Sequence, residues 1–371
     1  MDADKAELLA RTLVGYSLDV GRNDVVLICG ELVAEPLVDR LYQAVLRADA
    51  RPVVRLASDL SLDTHLQCVE IRNGRYLNPT RVSNGAAINC TIGVWTMDRS
   101  SVGQTTKRIE AREELAMQSQ FLEFAAAGKI RWAVTLWPTD YAAELAGMSR
   151  PAFDEMLAAA SMLDQDEPSI AWDKVSQSQQ ALCDRLETAQ KLQIRCPRGT
   201  NLTVCVSGRK WVNSCGRCNL PDGEVYSSPL AASAHGTWCS SFSAIYEEET
   251  IAGVCMEIKN GRVVSWKADT GQAALQRLFD RDEGASVIGE IGIGTNNRLA
   301  RGTGISLLDE KIAGTVHIGL GASYPATGGT NRSSVHRDFV CDLRDGGSIL
   351  VDDEPLAFQV EFRQPAKRHQ N

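Results

Sequence analysis

The sequence predicts an α/β amino-terminal domain with a mostly parallel sheet over residues 1–190, followed by a β-rich α+β carboxy-terminal domain over residues 191–371. Two observations carry this division. Up to about residue 190, short apolar runs alternate with amphipathic helical stretches, the pattern of crossover units that build a parallel sheet covered on both faces. Beyond it the runs shorten and alternate, separated by glycine-rich turns, as expected of antiparallel strands.

The elements follow in order. Helical spacing in "AELLARTLVGYSL" leads to the apolar run "DVVLIC", and the helix "AEPLVDRLYQAVLRA" leads to "RPVVRLA". After these come the strand "INCTIGVW", the helix "EELAMQSQFLEFAAAG" and the strand "KIRWAVTLW". Residues 140–190 read as a helical insertion, with "YAAELAGM", "RPAFDEMLAAASML" and "SIAWDKVSQSQQALCDRLETAQ" in succession. From Lys191 onward "KLQIRC", "NLTVCVSG", "GVCMEIKNGRVVSW" and "FVCDL" predict strands, and "KNGR" between two apolar runs predicts a hairpin.

Composition excludes several classes of function. Hydrophobic residues make up 44% and charged residues 23% of the 371, ordinary values for a folded chain. The formal net charge is -8 with no basic cluster, which argues against nucleic acid as a partner. No run of about 18 apolar residues is available to span a bilayer. The start, "MDADKAELLARTLVGYSL", lacks a basic segment followed by an apolar one, so a cytoplasmic protein is expected. The eleven cysteines are then expected to be reduced thiols, most of them packing as small hydrophobes.

The chemistry concentrates in the second domain. Glu224 in "NLPDGEVYSSP", Glu290 in "VIGEIGIGTN", His317 and Tyr324 in "HIGLGASY", and His336 with Asp338 in "VHRDF" all sit in turn-like surroundings. Together they offer three carboxylates, two imidazoles and a phenol, the donor types that divalent zinc, cobalt or manganese take. Two ions held close together need five or six such ligands, with a carboxylate able to bridge. In a strand, His336 and Asp338 point to the same face and Arg337 to the other. Each residue also has a plain reading, a hydrogen-bonded strand histidine or a turn carboxylate in water, and spacing by itself does not separate the two.

The wording around these residues resembles the thermophilic-type metallo-aminopeptidase family, the group that includes aminopeptidases T and S. The similarity lies in "NLPDGEVYSSP", "GEIGIGTN", "DEKIAGTVHIGLGASYPATGGTNRSSVHRDF" and "AGMSRPAFDEML", and extends to "TLVGYSLDVGRNDVVLICGELVAEPLVDRLYQAVLRADARPVV" and "RWAVTLWPT". The resemblance implies a homodimeric exopeptidase that holds two divalent ions and removes amino-terminal residues from short peptides. It implies Glu224, Glu290, His317, Tyr324, His336 and Asp338 as ligands. Tyr324 would serve as ligand or as hydrogen-bond donor to the oxyanion, and Glu310 in "LLDEKIAG" would serve as proton shuttle or orienting group. A surface ion pair with Lys311 is the competing reading of Glu310. The segment between Tyr324 and His336 looks shorter than in the best-known members, which implies a different pocket rim.

Other readings compete. Ring-cleaving dioxygenases acting on dihydroxypyridines resemble the chain in "HIG" and in the H-x-D pair, and His317, His336 and Asp338 would suffice for one Fe(II) ion. Glu224 and Glu290 would then have no role. "SCGRC", with Cys215 and Cys218, is read as structural thiols rather than a redox or zinc pair, because no second CxxC exists and the surroundings are hairpin-like. "GEIGIGTN" lacks the spacing of a dinucleotide loop. His235 is expected at a surface or hairpin position, and His65 and His369 carry little information.

Overall fold

The computed structural model describes residues 1–57, 88–97, 123–247 and 249–356. His65, His369, Cys68 and most of the stretch "EELAMQSQFLEFAAAG" lie outside them; the end of that stretch, residues 123–126, is helical.

The first half forms as its apolar spacing predicts. Helix α1 (Ala3–Arg11) is capped by Asp2, whose carboxylate accepts from the Lys5 N–H, and continues as a π-helical turn through Thr12–Ser17. Strands β1 (Val25–Glu31), β2 (Arg51–Ala57), β3 (Cys90–Trp95) and β4 (Arg131–Leu136) pair in parallel in the order β2-β1-β3-β4. Helix α2 (Glu35–Arg47) connects β1 to β2 and buries Leu37, Leu41 and Val45 against the sheet. The helical stretch that follows consists of α3 (Asp140–Leu145), α4 (Arg150–Ala160) and α5 (Pro168–Glu187), with Thr139 and Ser149 capping the first two.

The remainder is two antiparallel sheets. The larger contains β5 (Lys191–Arg195), β6 (Asn201–Cys205), β10 (His235–Cys239), β13 (Cys255–Lys259), β14 (Arg262–Lys267), β18 (Ser348–Val351) and β19 (Glu354–Pro355). The smaller has the order β17-β16-β15-β9-β7 and is built from β7 (Val212–Ser214), β9 (Glu224–Ser227), β15 (Ile288–Gly294), β16 (Thr315–Gly321) and β17 (His336–Asp342). A separate hairpin joins β11 (Ala244–Tyr246) to β12 (Glu249–Ile251), and the helices here are α6 (Gln272–Phe279) and the short α7 (Ser306–Asp309). One core lies between the sheets, with Ile194, Leu202, Trp238 and Met256 from the larger meeting Val225, Ile291, Ile318 and Phe339 from the smaller. The "KNGR" turn links β13 to β14, and both Asn260 (φ 51°) and Gly261 (φ 72°) are left-handed, as a two-residue hairpin turn requires.

The parallel sheet takes a fifth strand from beyond residue 190: β8 (Asn219–Leu220) pairs in parallel with β4. The "SCGRC" loop therefore packs on the first half of the chain. Tyr16 donates its hydroxyl to the Cys215 carbonyl at 3.0 Å, and Arg217 stacks over the Tyr16 ring at 4.0 Å. Both thiols are free, and burial pushes both upward in pKa, Cys218 to about 12. The expectation of reduced cysteines throughout is corrected in one place. Register sets Cys239 of β10 directly opposite Cys255 of β13, with Cα atoms 4.1 Å apart, and the two are joined by a disulfide. Among the described residues no helix is long and apolar enough to cross a membrane.

Candidate metal centre

Strand alternation sorts the smaller sheet into two faces. Val225, Ile291, Ile293, Val316, Ile318, Leu320, Phe339 and Cys341 face the core. Their neighbours Glu224, Glu290, His317, His336 and Asp338 therefore converge on the other face, and all are buried except His336, which is partly exposed. Glycines clear the space between them. Gly292 lies directly opposite His317, and a Cβ there would stand 2.2 Å from its ring. Gly319 lies opposite both Glu290 and Asp338, and a Cβ there would come within 2.9 to 3.1 Å of Glu290, Asp338 and His336.

Glu290 sits at the middle of the cluster. Its Oε1 is 3.4 Å from His317 Nε2 and its Oε2 is 3.2 Å from His336 Nε2. Glu224 Oε2 lies 3.2 Å from His317 Nε2 on one side, and Asp338 Oδ1 lies 3.6 Å from His336 Nε2 on the other. Three groups of side chains have donor atoms close enough to hold an ion: Glu224–Glu290–His317, Glu290–His336–Asp338 and Glu310–His317–Asp338. The Nδ1 of His336 lies 3.0 Å from the Ala322 carbonyl, and an Nδ1–H donated there leaves Nε2 as the free lone pair.

Tyr324 stands at the rim, half-buried, with its ring 5.3 Å from that of His336 and 5.1 Å from that of Tyr226. Burial, with the Glu290 charge adding to it, raises the Tyr324 hydroxyl well above the usual phenol range. His235 is exposed on β10, in the other sheet, away from this face.

The sequence reading missed Lys311. Glu310 and Lys311 do form an ion pair, at 2.6 Å, but in the interior rather than on the surface. The Lys311 side chain is fully buried, and its ammonium also reaches Glu224 at 2.5 Å and Asp222 at 3.8 Å. Helices α3 and α4 wall this region: Ala142, Ala143, Phe153 and Leu157 pack with Leu299, Leu307, Leu308 and Ile312. In the sequence the charged group "DEK" is flanked by apolar residues on both sides, in "LLDEKIAG", and that flanking was the available clue.

The charges are strongly coupled. Burial would lower the pKa of His317, but Glu224 and Glu290 outweigh it and hold it well above the ordinary imidazole value. His336 behaves likewise, its burial offset by Asp338 and Glu290 and its pKa pushed up to about 10. Burial would raise Glu290, but the two imidazoles bring it down to about 2. Asp338 is raised well above the carboxylate range by burial and by the Glu310 charge.

These donors fit divalent metal. Glu224 Oε2 and Asp338 Oδ1 are buried without a hydrogen-bond partner, although both face imidazole nitrogens. Buried acceptors gathered without donors lack a cation. The glycines at 292 and 319 keep open the volume it would take.

Residues 2–346 match the family described as thermophilic metalloprotease (M29). Aminopeptidase 2 of Geobacillus stearothermophilus is 26% identical over 278 residues, which is 64% of this chain and 66% of that relative, so just under two thirds of the relative's length is covered. Wild-type AmpT from Thermus thermophilus shares the fold, with a TM-score of 0.72 at 20% identity over 95% of this chain and 97% of that one. The 2,5-dihydroxypyridine dioxygenase of Pseudomonas putida KT2440 shares it more distantly, with a TM-score of 0.58 at 15% identity over 96% of each chain. Both structural likenesses bear on the fold.

Proposed function

Because the chain belongs to the thermophilic metalloprotease (M29) family, we propose that it is an aminopeptidase that removes amino-terminal residues from short peptides at a centre of two divalent ions, zinc, cobalt or manganese. The observation that carries this reading is the Glu290 carboxylate, whose two oxygens face two different histidines and which belongs to two of the three candidate ion groups. Glu224 and His317 would complete one site, and His336 and Asp338 the other, with Tyr324 as ligand or rim group.

Charge supports the count. Asp222, Glu224, Glu290, Glu310 and Asp338 carry five negative charges when ionised, and Lys311 returns one. With neutral imidazoles, two divalent ions cancel the remaining four.

Bound there, such ions supply Lewis acidity and bring the pKa of water toward neutrality. The chain's own groups divide the rest. Glu310 has burial against it, but the Lys311 ammonium beside it lowers its pKa and favours its ionised form, which is able to accept a proton from water and return it to the leaving amine. Tyr324, with its hydroxyl kept protonated, donates a hydrogen bond to the developing oxyanion. The Tyr226 ring packs beside that of Tyr324 and supports it at this side of the centre.

The one-iron dioxygenase reading has less support. It needs His317 and His336 on a single ion, and no candidate group among the described residues joins both. It also leaves Glu224 and Glu290 buried inside the cluster without a task. Homodimerisation and a cytoplasmic location belong to the same proposal; the first is supported by the sequence resemblance. The second is supported by eight free thiols among the described cysteines against one disulfide. The test is metal analysis of the purified protein with hydrolysis of aminoacyl-nitroanilides compared against cleavage of 2,5-dihydroxypyridine with Fe(II). Ring cleavage with a single iron would replace the proposal.

A further inference from the structure

Lys311 is a fully buried cation that the proposed hydrolysis does not use. Its Nζ lies 2.5 Å from Glu224 Oε1, 2.6 Å from Glu310 Oε1 and 3.8 Å from Asp222 Oδ1. Three carboxylate oxygens around one point charge resemble the surroundings of a hard metal ion more than those of a surface salt bridge.

The pocket is built rather than incidental. The Lys311 main chain is fixed on both sides, its N–H donating to the Leu308 carbonyl at 3.1 Å and its carbonyl accepting from the Asn296 N–H at 2.8 Å. Asp222 is held by the Ser214 hydroxyl at 2.9 Å and the Gly216 N–H at 2.8 Å. Asn296 in turn donates its side-chain amide to the Asp222 carbonyl at 2.7 Å and to Ala160 at the end of α4 at 3.0 Å. The ammonium and its three carboxylates thus meet on a frame drawn from separate parts of the chain.

We infer that Lys311 is a resident cation that occupies what would otherwise be a third ion site, and that it thereby sets the geometry of the two-ion centre beside it. By holding Glu224 Oε1 it leaves only Glu224 Oε2 to face His317 and an ion, so Glu224 binds through one oxygen. By holding Glu310 Oε1 it fixes that carboxylate from one side and leaves its other oxygen available for proton transfer. Lys311 is a positioning residue in this scheme, and the inference rests on the two-ion reading above.

The experiment is Mn(II) titration of metal-stripped protein, followed by equilibrium dialysis and electron paramagnetic resonance, on the wild type and on Lys311→Met. The wild type saturates at about two Mn(II) per chain, whereas folded Lys311→Met takes up about three, because the emptied carboxylate pocket accepts an ion. Hydrolysis by the variant falls by about tenfold or more as Glu310 is drawn onto the added ion. An ion count and affinity for Lys311→Met equal to those of the wild type would overturn the inference. If the variant does not fold, anomalous scattering from Mn(II)-loaded wild-type crystals decides. Two peaks with the Lys311 ammonium still between Glu224 and Glu310 are expected, and a peak inside the Asp222–Glu224–Glu310 pocket would overturn it. A wild type that binds no Mn(II) would instead sink the two-ion reading itself, while two bound ions with an unchanged variant sink only the role of Lys311.

Discussion

Gly292→Ala separates a metal centre from a merely buried polar cluster. A methyl at this position would lie 2.2 Å from His317 Cε1 and Nε2, where ordinary contact begins at 3.4 Å, so ring and strand must part by more than 1 Å. His317 cannot yield outward, since it is fully buried between Glu224 and Glu290 on a strand paired along both edges. Overpacking of this kind costs about 1–3 kcal/mol of stability. Its larger effect is on position, because a misplacement of about 1 Å in a catalytic constellation costs on the order of 100-fold in rate. The assay is kcat/KM on an aminoacyl-nitroanilide together with metal content and Tm. The expected result is a folded protein that has lost about 100-fold in kcat/KM and part of its metal. A variant that keeps its rate within about threefold of wild type and a full metal complement would show that His317 Nε2 is not engaged as described.

Three further outcomes follow from the same geometry. Glu310→Gln is expected to keep its bound metal and lose about 10²–10⁴ in kcat, and unchanged kcat would remove Glu310 from proton transfer. Asp282→Asn weakens the anchor of the loop before His336, where the carboxylate accepts from the Gly284 N–H, both hydroxyls of Ser333 and Ser334, and the Ser334 N–H. The cost is about 1–3 kcal/mol at neutral pH by thermal or urea unfolding. Burial opposes ionisation of Asp282, but these bonds outweigh it and lower its pKa below 3.8, so its stabilisation is present above that value and is lost as pH falls through the folded pKa. The gap between wild type and Asp282→Asn should therefore close in acid, and a gap that stays constant to about pH 2 would refute the assignment. His336→Ala should lose the ion shared with Asp338 while retaining its fold, as circular dichroism and metal analysis together would show.

Much of the fold was legible because the apolar pattern is regular. The run "RPVVRLA" is β2 from end to end, and the helices after residue 140 start within a residue of their spacing, although each ends three residues before its predicted stretch does. What patterning could not reveal was the return of Asn219–Leu220 to the parallel sheet, since two residues carry no periodicity and the pairing is made from β4. The Cys239–Cys255 bridge was hidden for a related reason: it depends on the register of β10 against β13, which no local rule sets.

The candidate site was legible in part. Alternation alone placed His336 and Asp338 on one face, as found, and the flanking motifs drew in Glu224 and Glu290, which lie beside the same histidines. The glycines were a signal left unread. In "GEIGIG" and "HIGLG" small and apolar residues alternate, the isoleucines and leucine turned to the core and Gly292 and Gly319 turned to the cluster, where they keep the space between its side chains clear. Lys311 was misread because a lysine next to a glutamate is ordinarily a solvated pair, and only the packing of α3 and α4 over residues 299–312 takes it out of water.

The central claim is that Glu290 joins two ions, and it is tested most directly by counting divalent metal per chain in Glu290→Gln against wild type, by mass spectrometry of folded, dialysed protein. About two equivalents in the wild type, falling to about one or less in the variant together with loss of peptide hydrolysis, is the predicted result. A folded Glu290→Gln protein that retains the full wild-type complement would contradict the two-metal account.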